Sequence, residues 1–576
     1  MNCLHTLLFV TLIFAQNAFA YNILAIVSMP LRSHYMAFQT LFRELAIRGH
    51  SVTVMNNYPD PQPVRNLEFI DLQVQNAFRN RTPPMSWYET EDSRFMHIVN
   101  LHRHVNFGPQ STKFDCENLL SNKNVQRHLA QGKKYDVIFV EQFFSDCGLA
   151  YAGVFYDAPI IGITSHVLLP WAYPRLGIPF DFSSDAYYFA NAGTNPGLYH
   201  RIETVLMHLY LTYGKWLIDR STYDAFHQHM PNVSLDIEKL ATERMKMMFS
   251  NQHFSITGAR LAGPQVLEIG GIHIDKPKPV PKDIEKFLAN ATNGAIYVSF
   301  GSNLIASTMS TNKMQQFLDA FKKIPQKVLW KLENASLPVG NDNVYTSDWM
   351  PQLDLLCHPK VLAFVSHGGM LSISEAAHCG KPLLAMPFFG DQFSNAAAVR
   401  SSGIGTTMFF EYLNADNLAE EIKKLTSSDL QKSAKRVSKL WHDRPQSVMD
   451  SAIYWTEYVA RHGTAPPSLP SKGKTLMQFQ LDVVVTLMII LIIIMLLFYF
   501  VYKCLELILK FLMTCWFACR LVNIKKFLVT SHDIPRQLEM RWRDVTRQRK
   551  AKLTLGTRNT LQHPASTHYV LHWTFD

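Results

Sequence analysis

A chain of 576 residues, 47% hydrophobic and 18% charged, is too long for one hydrophobic core and too apolar for disorder, so at least two folded domains with appendages are expected. Its net charge of +10 does not point to a polynucleotide partner, because thirteen Lys/Arg against five Asp/Glu fall in 503–576 and leave the remainder near neutral. The eight cysteines match neither a zinc-ligand spacing nor a dense disulfide framework, so Cys116, Cys147, Cys357 and Cys379 are expected to be buried free thiols, with one disulfide as the alternative.

In chain order, residues 1–20 carry a short apolar run and end Ala-Phe-Ala, the pattern of a cleaved signal peptide. ILAIVSM (23–29) is a buried-strand run, followed by a helical stretch (34–49) that Gly49 would cap and by the strand HSVTVMN (50–56). YDVIFVEQ (135–142) and APIIGIT (158–164) are further buried strands. The aromatic-rich segment 166–193 reads either as a packed surface loop or as the wall of an apolar acceptor pocket. IDKPKPVPKDI (274–284), with three prolines and three lysines, reads as a linker. Strand-and-helix alternation then resumes with AIYVSFGSN (295–303), VLWKL (328–332), VYTS (344–347), LAFVS (362–366) and LLAM (383–386). The uncharged residues 483–502 are long enough to cross a bilayer, and the basic tail 503–576 behind them follows the positive-inside pattern. Sequons at Asn80, Asn232, Asn290 and Asn334 suit a secretory route. These features predict an α/β protein with domains at 21–273 and 285–465, one C-terminal transmembrane helix, a single-pass type I orientation in the endoplasmic reticulum membrane, and lumenal domains.

The window 349–392 concentrates the chemistry. Trp349, where a strand meets a loop, can stack on a flat base, and Gln352 can read a pyrimidine edge. His367-Gly368-Gly369 separates a buried strand from the helical run MLSISEAAHCG, so backbone amides, a positive helix end and an imidazole converge as a diphosphate site. Glu375, about two turns into that helix, can accept both ribose hydroxyls, and Asp391-Gln392 after LLAMP suits adjacent sugar hydroxyls. Gly301-Ser302-Asn303 closes another strand and offers amide and hydroxyl donors to phosphate.

With YVSFGSN, QKVLW, this window and DRPQSVMDSAIYWTEYVARHG in order, the chain over nearly all of 22–500 resembles the UDP-glycosyltransferases, in particular the insect branch of the membrane-bound enzymes. The resemblance implies the GT-B arrangement of two Rossmann-like domains, inverting transfer from a UDP-sugar co-substrate, and no cofactor or metal ion. It assigns uracil to Trp349 and Gln352, phosphates to Ser302, His367 and Gly369, ribose to Glu375, and the sugar to Asp391 and Gln392. His34 falls where the family keeps its catalytic His. Ungapped alignment puts Glu141 at the family's catalytic Asp, with Asp146 the alternative if the loop is one register different. Vertebrate glucuronosyl enzymes place an Arg where Ser250 stands, so glucose is the expected sugar, although Arg260 is near in sequence. They also carry an Asn within the stretch Met370-Leu371-Ser372. The expected partners are UDP-glucose or a related UDP-sugar, a small lipophilic acceptor, the membrane and homo- or hetero-oligomeric copies, and not nucleic acid. The expected activity is conjugation of toxins, pigments or hormones; the alternative is a non-catalytic UDP-sugar-binding membrane protein of the same fold.

Overall fold

The computed structural model describes residues 20–73, 84–90, 95–182, 188–194, 196–333, 340–463 and 470–530. The expected leader up to residue 19, the sequons at Asn80 and Asn334, and the tail beyond residue 530 lie outside the described residues.

The first sheet has seven strands, β1 (Asn22–Val27), β2 (Ser51–Asn56), β3 (Leu67–Asp71), β4 (Val137–Glu141), β5 (Ile160–Thr164), β6 (Met245–Ser250) and β7 (Val266–Glu268), in the order β3-β2-β1-β4-β5-β6-β7. All pairings are parallel. Strands buried on both faces read as continuous apolar runs, which is why β1, β4 and β5 are almost entirely apolar. The helices that matter to the site are α1 (Arg32–Ile47), α2 (Met96–Ser121), α3 (Cys147–Phe155), α4 (Ala172–Arg175), α5 (Leu198–His229) and α6 (Ile237–Arg244). On α1, Phe38, Leu41, Phe42 and Leu45 form one apolar stripe that packs into the core of this sheet.

The second sheet has six strands, β8 (Ala295–Ser299), β9 (Lys327–Lys331), β10 (Val344–Ser347), β11 (Val361–Ser366), β12 (Leu383–Ala385) and β13 (Gly405–Thr407), in the order β10-β9-β8-β11-β12-β13. Its pairings are also parallel. Around it lie α7 (Gln352–Cys357), α8 (Met370–His378), α9 (Gln392–Ser402) and α10 (Ser428–His442). Each sheet therefore reverses its winding once, between β1 and β4 and between β8 and β11. Ligands of doubly wound sheets gather at the carboxyl ends of the strands flanking such a point.

The following helix, α11 (Val448–His462), does not stay with the second sheet. Ala452, Ile453 and Val459 join the core of the first, Arg48 Nη2 donates to Asp450 Oδ1 at 2.6 Å, and His50 Nε2 lies 3.2 Å from Glu457 Oε1. α11 thus falls within 285–465 of the chain and packs on the first sheet.

The C-terminal helix α12 (Pro470–Thr530) belongs largely to a separate compact unit beginning at Leu481. Its apolar stretch, Val483–Leu521, is long enough to cross a membrane and extends past the expected end at residue 502. Past residue 502, Glu506 accepts from Lys503 at 2.8 Å and Lys510 at 2.7 Å, pairs at helical spacing that support the helix there.

Candidate active site

His34 sits in the first turn of α1, just beyond β1, and Glu141 is the last residue of β4, so both occupy the switch point of the first sheet. His34 Nδ1 and Glu141 Oε1 are 2.5 Å apart, and both side chains are buried. With Nδ1–H donating to the carboxylate, the lone pair of the neutral ring is on Nε2. Phe143 meets the imidazole edge-on at 4.5 Å between ring centroids, and His166 lies 6.0 Å away. The segment after β5 is packed inward rather than along the surface: Trp171, Tyr173, Phe180, Tyr188 and Phe189 are all buried.

Asp146 is committed elsewhere. Arg175 clamps it with bonds of 2.9 and 2.7 Å and also donates to Gln142 Oε1 at 2.7 Å and Glu238 Oε1 at 2.6 Å. Lys215 Nζ reaches Asp146 at 2.7 Å and is bonded to Asp219. Burial alone would push the Asp146 carboxyl up, but Arg175 and Lys215 outweigh it and hold the group far below the usual range. Among the described residues, Asp146, Asp219 and Glu238 are the carboxylate trio close enough to share a cation, and two side-chain cations already sit there. The alternative register that would pair Asp146 with His34 is therefore not the one adopted.

On the second sheet, Ser302 lies exposed on the turn after β8 and His367 follows β11, again at the switch point. The His367 ring is wedged between two glycines: a Cβ at Gly301 (φ +81) would lie 2.7 Å from its Cε1, and one at Gly369 2.5 Å from its Nε2. Burial and then the nearby Lys331 lower its pKa to about 4, so the imidazole is neutral near pH 7, and its buried Nδ1 has no protein partner. Gly369 caps α8 without a side chain, leaving the first-turn amides open toward the same point.

Trp349 keeps 66% of its surface exposed, as a stacking platform would. Gln352, at the start of α7, donates to Ser372 Oγ at 3.1 Å and to Glu375 Oε2 at 2.9 Å. Asp391 accepts from Asn395 at 2.7 Å, and burial pushes its carboxyl up to about 6 despite that bond and the proximity of His34. Gln392 is partly engaged within the protein. Its carboxamide oxygen accepts from the Phe388 and Phe389 amides at 2.8 and 3.1 Å, so only its NH2 end remains to meet a ligand.

Three features escaped sequence reasoning. Asp115 on α2 is a second buried carboxylate electrostatically coupled to Glu141; it accepts from Ser28 Oγ at 3.1 Å, and burial raises it to about 6. An acidic residue on the buried face of a helix was its only signal. Cys116–Cys147 and Cys357–Cys379 are both disulfides, with Cα separations of 5.2 and 4.8 Å, which overturns the expectation of free thiols. Pairing depends on the approach of helix ends that spacing does not encode. The second staples α7 to α8, the helices carrying Gln352 and Glu375. Replacing both Cys357 and Cys379 by serine is expected to lower stability by about 3 kcal/mol, read from the midpoint of urea unfolding.

Two doubly wound sheets with polar groups at both switch points make the pair of Rossmann-like halves of the GT-B class of fold. The chain belongs to the UDP-glucoronosyl and UDP-glucosyl transferase family, whose pattern it matches over residues 23–515. It is 32% identical over 456 residues to UDP-glycosyltransferase UGT5 of Dactylopius coccus, covering 79% of this chain and 86% of that one. It is 31% identical to UDP-glucosyltransferase 2 of the same insect, covering 81% and 90% of the two chains. Among solved structures it is similar to the glycotransferase of kitacinnamycin, with 19% identity, a TM-score of 0.47, and coverage of 78% of this chain and 100% of that one. The protein is an enzyme that transfers a sugar from a UDP-sugar.

Proposed function

We propose that this enzyme is an inverting UDP-glucosyltransferase acting on small lipophilic molecules that bear a hydroxyl or similar nucleophile, without a metal ion. The observation that carries the reading is the buried His34–Glu141 pair, whose histidine also lies in the field of Asp391 on the opposite sheet. In this mechanism His34 Nε2 takes the acceptor's proton as its oxygen attacks the anomeric carbon from the face opposite the diphosphate. The bond from that carbon to the β-phosphate oxygen breaks, the electron pair leaves with UDP, and Glu141 stabilises the imidazolium. Ser302, His367 and the open end of α8 hold the diphosphate and stabilise its departing charge. Trp349 and Gln352 take uracil, Glu375 takes ribose, and Asp391 with the NH2 of Gln392 takes sugar hydroxyls.

Glucose is favoured because Ser250 stands where the glucuronosyl enzymes that the chain resembles carry an Arg, the side chain suited to a sugar carboxylate. Its hydroxyl turns inward to donate to the His166 carbonyl at 3.0 Å. The competing donor, a hexuronate, draws support from Arg260, which lines a small cavity with Asn395, the residue holding Asp391. Microsomes carrying the protein, given labelled UDP-glucose or UDP-glucuronate with a panel of phenols, are expected to transfer glucose at least about 100-fold faster. Preferred transfer of glucuronate, lost on Arg260→Ala, would replace the glucose assignment with the hexuronate one.

The orientation proposed is lumenal, with the tail beyond α12 in the cytoplasm. Two disulfides in the globular unit favour an oxidising compartment, and the basic excess after residue 503 favours a cytoplasmic tail.

A further inference from the structure

His273 lies on the short segment that leaves β7 for the second domain. Two successive turns shape that segment: the Ile272 amide donates to Ile269 O and the Ile274 amide to Gly271 O, each at 3.0 Å. It is clamped from outside. Arg444 Nη2 donates to Gly270 O at 2.7 Å, and a Cβ on Gly270 or Gly271 would come within 2.6 Å of Gln252 O or 2.9 Å of the Trp441 ring. The turn is therefore fixed between the two domains, and His273 has a set position.

That position is beside Glu375. The imidazole is 9% exposed, and its Nε2 lies 3.6 Å from Glu375 Oε1, too far for a direct hydrogen bond. Neither ring nitrogen has a hydrogen-bond partner, although both are buried. Glu375 Oε2 is already occupied by Gln352 at 2.9 Å, so Oε1, the oxygen nearest His273, is the one left for a ligand. A buried imidazole with both nitrogens unpaired is costly and uncommon in a native protein. The arrangement makes sense if something with both donor and acceptor capacity enters beside the two groups. A hydroxyl has that capacity, since it donates one hydrogen bond and accepts others.

We propose that His273 is a donor-binding residue that, together with Glu375, holds one hydroxyl of the ribose of the UDP-sugar. The hydroxyl donates to Glu375 Oε1 and accepts from a ring N–H of His273. The ribose is thereby gripped from both domains at once, by α8 from the second sheet and by the outgoing segment of the first. This assignment rests on the proposed placement of ribose at Glu375.

The test is a cycle between side chain and ligand hydroxyl, run on the full chain in detergent micelles by calorimetric titration with UDP, 2′-deoxy-UDP and 3′-deoxy-UDP. His273→Ala is expected to weaken UDP about tenfold and one of the deoxy nucleotides less than about twofold, because that nucleotide lacks the hydroxyl His273 meets. His273→Gln, which keeps a donor and an acceptor, is expected to retain most of the UDP affinity and guards against a variant that merely misfolds. Equal losses for all three nucleotides, or no loss for UDP, would overturn the role of His273 while leaving the donor site in place. Failure of the wild-type chain to bind UDP, or binding with no penalty for either missing hydroxyl, would overturn the ribose placement and the His273 contact with it.

Discussion

Replacing His34 by alanine is expected to lower kcat by roughly 10²- to 10⁴-fold, the usual worth of a positioned general base, while leaving UDP affinity unchanged. The separation of effects follows from the architecture. His34 stands at the switch point of the first sheet, whereas Trp349, Gln352, His367 and Glu375 belong to the second. Removing the imidazole therefore takes away the proton acceptor without disturbing the nucleotide groups. Single-turnover rates with saturating donor, set beside UDP titrations, read the two quantities independently. Wild-type turnover in His34→Ala would rule out the mechanism proposed above.

The same logic assigns a role to Glu141. Its carboxylate lies 2.5 Å from His34 Nδ1 and acts on the acceptor only through that ring. Glu141→Gln keeps a hydrogen-bond acceptor but loses the charge that stabilises imidazolium, so kcat should fall by about 10². In the His34→Ala background the same change should cost almost nothing, because its effect needs the imidazole. Additive losses would mean that Glu141 contributes by some route other than His34.

The long apolar runs were readable: β1, β2, β4, β5 and β9 through β12 fall within a residue or two of the expected strands, and β8 opens at the expected Ala295 but ends at Ser299, ahead of the turn. Strands buried on both faces leave that trace whatever surrounds them. The four strands missed lie toward the sheet edges and lack it. β3 is half exposed, β6 reads MKMMFS with a lysine and no β-branched residue, and β7 and β13 have three residues each. Window 349–392 announced its groups because they are local in sequence, carried by the consecutive elements α7, β11, α8, β12 and the start of α9. Long-range features left no such trace. The return of α11 to the first core, the pairing of four cysteines and the approach of His273 to Glu375 all depend on segments far apart in sequence. The choice between Glu141 and Asp146 was undecidable for a related reason. Two carboxylates five residues apart look equally available until Arg175, Lys215 and Glu238 are seen around one of them.

Arg175→Met is expected to be among the most destabilising single changes in the globular unit, at about 3–5 kcal/mol, because it strips a buried carboxylate of its main partner. Arg175 and Asp146 are both buried, whereas the Glu238 side chain is about half exposed, so solvent can compensate Glu238 but not Asp146. Lys215 also reaches Asp146, at 2.7 Å, but is shared with Asp219 and Glu238 and so takes over only part of the task. The expected readout is a fall of several degrees in Tm. A buried pair costs much when broken and little when removed whole. The double variant Asp146→Leu with Arg175→Met should therefore lose less stability than the two single losses added together. That coupling separates the two meanings of a buried Asp near the active site. If Asp146 served His34, Asp146→Asn would depress kcat in folded enzyme as Glu141→Gln does, and Arg175→Met would leave Tm intact. The geometry predicts the reverse: the cluster fixes the loop after β4, through Gln142 and Asp146, and thereby the end of the strand that presents Glu141 to the histidine.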